Sequence, residues 1–290
     1  MRKIACFSAV AFAALLAWSP LAEAQRPGLE IPIVTPGLGW KTCPRCENDA
    51  HVQDDRKKAN VDAHPFDPHD LSGVWGDNGI PIDMKARPPF TPEGQKMYET
   101  LRKEVGQQDE KHPAEHDPLM ICDPLGTIRG FAYNYGFEFI SAPGRMIQFF
   151  EWSHTFRTIW TDGRKLPDDP PVGRYLGYNI GRWEGDTFVI ESSGYDKRSL
   201  VGSDATQPVF PHSDDMKIVE GYKRLDYGKL QATITVYDPK VYTRPWVTTG
   251  VALLHPNAEI GEYFCVPSES ISFNERQTEP SQGGPEPGKK

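Results

Sequence analysis

From residue 136 to residue 254 the chain is written in short runs of alternating apolar and polar residues, and the runs are punctuated by Gly with Asp or Pro. Alternation puts every second side chain on one face of a strand, and these turn residues reverse the chain tightly, so the pattern prescribes an antiparallel meander. Three hairpins stand out. Residues 136–141 and 146–151 flank Ala142-Pro143-Gly144-Arg145, residues 178–183 and 187–192 enclose Glu184-Gly185-Asp186, and residues 217–224 and 230–237 surround Asp226-Tyr227-Gly228. Residues 155–160 form a further strand ending at the turn Thr161-Asp162-Gly163-Arg164. Residues 246–254 and 262–266 close the series, and Asp70-Leu71-Ser72-Gly73-Val74-Trp75 supplies a first wall. A sheet this long removes its open edges by curling round. The expectation is therefore a mainly-β fold, an antiparallel up-and-down, calycin-like β-barrel of about eight to ten strands, preferred to a sandwich.

Outside the meander the chain is less patterned. One short helix is expected after Thr91, which can cap it, with Pro92 in the first turn and Tyr98, Leu101 and Val105 on one face. Residues 106–120 read as a polar loop. Residues 25–69, rich in Pro, Asp, Lys and His, read as an extended N-terminal arm, residues 70–276 as a single barrel domain, and residues 277–290 as a disordered tail. No internal repeat is visible. At the start, Arg2 and Lys3 precede an apolar run from Ile4 to Trp18, Pro20 breaks it, and Ala22-Glu23-Ala24 offers small residues for cleavage. Residues 1–24 thus have the grammar of a secretory signal peptide, which places the mature protein in the periplasm or outside the cell. The apolar run is too short and wrongly flanked to span a bilayer.

Charge narrows the partners. The chain carries a formal net charge of −8 and no Lys/Arg stripe interleaved with aromatics, which argues against nucleic acid and anionic membrane surfaces. Beyond the leader stand Cys43, Cys46, Cys122 and Cys265. In an oxidising compartment an even set is read as disulfides, and the preferred pairing is Cys43 with Cys46 and Cys122 with Cys265. Two alternatives stay open for Cys43-Pro-Arg-Cys46: a zinc site recruiting His51 or His64, and a redox-active pair. Covalent haem is disfavoured because Glu47, not His, follows Cys46.

Several segments carry a resemblance. Asp70–Trp75, Pro89-Phe90-Thr91-Pro92-Glu93-Gly94, Cys122-Asp123-Pro124-Leu125-Gly126, the hairpin Gly181-Arg182-Trp183-Glu184-Gly185-Asp186-Thr187, Pro211-His212-Ser213-Asp214 and Asp238-Pro239-Lys240-Val241-Tyr242-Thr243-Arg244-Pro245-Trp246 together resemble a large family of uncharacterised secreted bacterial proteins. The resemblance covers residues 70–266 and implies the exported compartment and the fold. It implies no reaction. It also favours the Cys122–Cys265 pairing, because both cysteines fall in its recurring segments.

Three constellations hold groups with chemistry. In the first, Glu151 and Arg157 are expected to face each other across a hairpin, with His154 at the rim as a base and Asp162 and Arg164 in the next turn. The competing reading is a cross-strand ion pair and a plain turn. In the second, His212, Asp214, Asp215 and Glu220 stand near Arg224. His212 with Glu220 would form an acid–base pair, and His212 with Asp214 is a weak candidate set of metal ligands, no metal being the default. Glu220 and Tyr222 share one face of residues 217–224, and whether that face meets solvent or lumen is left open by the pattern. The third is aromatic: Phe137, Phe139, Phe149, Phe150, Phe156, Trp160, Trp183, Phe188 and Trp246 mostly suit a core, with room in a barrel for one ligand.

Nucleotide-binding Gly-rich loops, the Gly-x-Ser-x-Gly elbow and His-Glu-x-x-His are all missing from the sequence. The reading that follows is a barrel binding a small hydrophobic or aromatic molecule in its lumen, with Glu151, Arg157, Trp160, Phe149, Tyr222 and Trp246 as ligand-binding residues. The alternative is an enzyme without organic cofactor, an isomerase, lyase, hydratase or hydrolase, with His154, His212, Glu220 and Arg157 as catalytic groups. A structural envelope protein is the third.

Overall fold

The computed structural model describes residues 56–76, 88–104, 122–132, 135–202, 209–262 and 264–267. The expected leader, Cys43 and Cys46 with their expected pairing, most of residues 25–69 and residues 277–290 lie outside the described residues. The alternating runs become nine strands closed into one barrel, in sequence order round the ring. They are β1 (Gly73–Trp75), β2 (Phe137–Ala142), β3 (Arg145–Phe150), β4 (Thr155–Trp160), β5 (Tyr178–Glu184), β6 (Thr187–Ser193), β7 (Lys217–Asp226), β8 (Lys229–Tyr237) and β9 (Trp246–His255). Closure comes from β1 against β9, with Val74 opposite His255 and Trp75 opposite Leu254.

The barrel departs from uniform up-and-down order at one joint. β4 and β5 run parallel, with only Ile159 opposite Asn179 and Trp160 opposite Ile180, while every other neighbouring pair is antiparallel. Parity requires this. Direction cannot alternate all the way round an odd ring, so nine strands must contain a like-directed pair. The chain locates it between β4 and β5, where residues 161–177 are too long for a hairpin and carry Pro167, Pro170 and Pro171.

The last expected strand is also corrected. The described residues of 262–266 are irregular, tethered through a disulfide between Cys265 and Cys122 whose Cα atoms are 5.4 Å apart. Two α-helices with full bounds replace the single one expected: α1 (Pro92–Glu104) and α2 (Thr127–Ala132). α1 starts as expected, with Thr91 Oγ1 accepting from the Gly94 N–H at 2.9 Å. Its first turn lies so close to the corner after β8 that a Cβ on Gly94 would stand 2.1 Å from the Val241 carbonyl oxygen. α2 is too short, and too mixed in composition, to give a helical period.

Alternation sorts the strands into a packed interior and an outer wall. Trp75, Phe137, Phe139, Phe150, Phe188, Ile190, Tyr222, Leu230 and Ile234 are all buried and belong to one continuous core. Large side chains therefore fill the space that the sequence left open for a ligand. The described end of the arm docks on one rim. Arg56 donates to the carbonyls of Gly228 and Leu254, and His64 stacks on Tyr227 at 4.0 Å. Arg224 ties the same rim together, donating to the Asp70 and Tyr227 carbonyls.

Candidate functional site

Among the apolar interior residues sits one polar cluster. β7 turns Ile218, Glu220, Tyr222 and Arg224 inward, which resolves the ambiguous face in favour of the interior. β4 turns Arg157 and Ile159 inward from the far side. Arg157 and Glu220, on strands that are not neighbours, meet as a two-pronged pair: Nη1 donates to Oε1 at 2.7 Å and Nη2 to Oε2 at 2.5 Å. Their side chains are 1% and 0% exposed. Arg157 Nε donates to Gln148 Oε1 at 2.8 Å, and Nη1 also reaches Asn179 Oδ1 at 3.2 Å. Tyr222 donates its hydroxyl to Glu220 at 2.7 Å, and Ser192 donates to Asn179 Oδ1 at 2.7 Å.

The electrostatics follow from that geometry. Burial alone would lower the Arg157 pKa, but the charge and hydrogen bonds of Glu220 outweigh it and push the guanidinium up. Burial first, and the Glu220 carboxylate second, push Tyr222 well up and Tyr195 to about 12. All three groups hold their ordinary protonation at neutral pH. One polar atom is left over. Gln148 Nε2 is buried with no hydrogen-bond partner; it lies near enough to Tyr222 to influence its hydroxyl, but without the geometry of a bond. Because Arg157 Nε must donate to Gln148 Oε1, the amide cannot turn round to hide the orphan.

Outside the barrel, over the parallel joint, lies a cleft of about 660 Å³. Phe156, Thr158 and Trp160 of β4, Tyr178 and Ile180 of β5 and the 164–177 connection line it, and Arg157 is reached at its base between the two strands. Two guanidinium groups lie over its aromatic rings, Arg164 at 3.5 Å from the Trp160 centroid and Arg174 at 3.9 Å from that of Tyr178. Gly177, at φ +64°, turns the connection into β5 in the left-handed region, and its carbonyl accepts from Asn179. The cleft thus shares Arg157 and Asn179 with the interior cluster.

The remaining expected residues are dispersed. Glu151 does not face Arg157, because the register puts Gln148 opposite it; the Glu151 carboxylate instead accepts from the Gly136 and Gly261 amides at 2.8 and 3.0 Å. His154 Nε2 bonds the Gly261 carbonyl at 2.6 Å, so both residues clasp the C-terminal segment. Phe149 lies on the outer face of β3, out of phase with buried Met146, Gln148 and Phe150, while Trp160 lies on the outer face of β4, where it serves the cleft. Trp246 is core, packed against Phe210 at 5.6 Å. The turn expected at Asp162 is found, Asp162 pairing with Arg164 at 2.6 Å.

His212 and Glu220 do not form a pair. His212 is buried, its Nε2 2.9 Å from Ser199 Oγ and its Nδ1 2.9 Å from the Ser213 carbonyl. That carbonyl requires a proton on Nδ1, while the Ser199 hydroxyl that meets Nε2 also donates to the Asp196 carbonyl at 2.8 Å. Ser199 is itself 2% exposed, and the contact joins two loops rather than facing the cleft. Asp214 is exposed, apart from His212, and among the described residues no three His, Cys, Asp or Glu side chains come together as metal ligands.

Sequence reasoning found Arg157, Glu220, Tyr222 and Trp160 but missed Gln148, Asn179, Ser192 and Tyr195. A signal for Gln148 exists: it is polar in phase with inward Met146 and Phe150. No helix among the described residues is long and apolar enough to cross a membrane. Comparison with known proteins gives no matching family model, no matching curated protein and no matching solved structure.

Proposed function

We propose that this is an exported binding protein for a small aromatic molecule, and that the molecule lies in the cleft over the β4–β5 joint rather than in the barrel lumen. The observation that carries the reading is the cleft itself: about 660 Å³, walled by Trp160, Tyr178 and Ile180, with Arg157 at its base. This volume and mixture of flat apolar walls with few convergent polar groups suit a compact ligand. Behind the cleft floor the buried Arg157 is held by Gln148, Asn179 and Glu220, which fixes the strand carrying Trp160 before anything arrives. A pre-formed site loses little entropy on binding. Export is supported by the leader-like first 24 residues and by the Cys122–Cys265 disulfide, which suits an oxidising compartment.

A thermal-shift screen of small aromatic compounds against the purified protein tests the reading. Hits should be lost in Trp160→Ala and kept in Val247→Ala, a change on the opposite outer wall. Hits indifferent to Trp160→Ala, or none from a broad library, would remove the cleft as the site.

A further inference from the structure

Among the residues lining the cleft, every ionisable side chain with a charge at neutral pH is a cation: Arg157, Arg164, Lys165 and Arg174. No Asp or Glu lines it, although the chain as a whole carries a net charge of −8. Two of the cations are already neutralised, Arg157 by Glu220 and Arg164 by Asp162. Lys165 and Arg174 have no carboxylate partner among the described residues. Arg174 spends its guanidinium on the face of Tyr178, a contact that keeps its charge.

We propose, resting on the cleft as the binding site, that its ligand class is the planar aromatic anion, an aryl carboxylate or a close equivalent, with Arg174 and Lys165 receiving the charge and the Trp160 and Tyr178 side receiving the ring. An acidic protein that gathers unpaired cations at a concave aromatic surface focuses a positive potential there and raises the local concentration of anions. The Arg174 guanidinium adds a second fit. Arg174, 3.9 Å over the Tyr178 ring, offers N–H donors to carboxylate oxygens beside that ring, whereas the Nε and Nη2 donors of Arg164 are already taken by Asp162. A neutral aromatic gains only the stacking.

The test measures binding of 2-naphthoate and of neutral 2-naphthalenemethanol by calorimetry, using the full mature chain at low and physiological salt. The anion should bind at least tenfold tighter, and its advantage should shrink with salt. Arg174→Gln with Lys165→Gln should erase the advantage, weakening the anion at least tenfold more than the neutral probe. Equal affinity for both probes, with loss of both in Trp160→Ala, overturns the anion preference and leaves the cleft reading standing. Binding of neither probe, or binding of both that Trp160→Ala leaves unchanged, overturns the two together. A preference for the anion that persists in the Arg174/Lys165 double variant overturns the assignment of these residues.

Discussion

Arg157 and Glu220 hold each other across the barrel interior by two parallel hydrogen bonds of 2.7 and 2.5 Å, from strands β4 and β7 that share no ladder. The pair therefore ties the wall beside the joint to the wall opposite. Charges buried this deeply are costly to expose singly, because the surviving partner keeps its desolvation penalty and loses its counter-charge.

Glu220→Gln should accordingly cost about 3–5 kcal/mol of unfolding free energy. Arg157→Met combined with Glu220→Met should cost less than either change alone. Urea unfolding of Glu220→Gln, the two Met single variants and the Met double variant checks this, and a double variant as weak as the sum of its singles would show the two groups to be uncoupled.

Replacing Gly by Ala inside a helix ordinarily stabilises it by about 1 kcal/mol. Gly94→Ala should do the reverse, since the new methyl would stand 2.1 Å from the Val241 carbonyl oxygen and must push α1 off the β8–β9 corner. A loss of about 1–3 kcal/mol is expected from such overpacking. A higher denaturation midpoint for the variant would contradict the contact.

Burial pushes the pKa of His212 below its ordinary value of 6.5. The unfolded imidazole takes up its proton as pH falls through that value, while the folded one does so only lower. Stability is therefore whole above pH 6.5 and declines as pH drops below it. His212→Asn should be weaker at neutral pH but should flatten the dependence between about pH 5 and 7. Melting temperatures across that interval give the comparison, and unchanged slopes would exclude His212 as the source.

The Cys122–Cys265 bond closes a loop with a sequence separation of 143 residues. By chain entropy, cross-linking so long a loop is worth about 3–5 kcal/mol. Reduction, or Cys122→Ser with Cys265→Ser, should lower the melting temperature accordingly. It should also loosen the segment that Glu151 and His154 clasp at Gly261. Equal melting of the oxidised and reduced protein would show the bridge to be mechanically idle.

The strands were legible because burial on one face writes itself into alternation, as in Ile218, Glu220, Tyr222 and Arg224 of β7. The same rule could not say that this face looked inward, since a buried Glu and Arg break the usual equation of polar with solvent. Only the partner, Arg157 on a distant strand, makes them compatible with an interior. The expected Glu151–Arg157 pair failed for a register reason: the chain leaves the ladder at Phe150, so Glu151 enters a helical turn instead of facing β4. The cleft was invisible because its lining comes from one wall of the barrel and a connection without periodicity. Trp160 was expected to line a lumen, but Phe137, Phe150, Phe188 and their neighbours fill that space and Trp160 lies on the outer face of β4.

The odd ring leaves a mechanical signature. Six residue pairs in register join β3 to β4, from Arg145–Trp160 to Phe150–Thr155, whereas β4 and β5 are stitched only at Ile159–Asn179 and Trp160–Ile180. The β1–β9 closure is sewn as lightly, at Val74–His255 and Trp75–Leu254, but only the β4–β5 line runs beside Arg157. Opening of the wall along that line would expose the buried cluster, and a ligand held over Trp160 and Ile180, as proposed, would act as a suture.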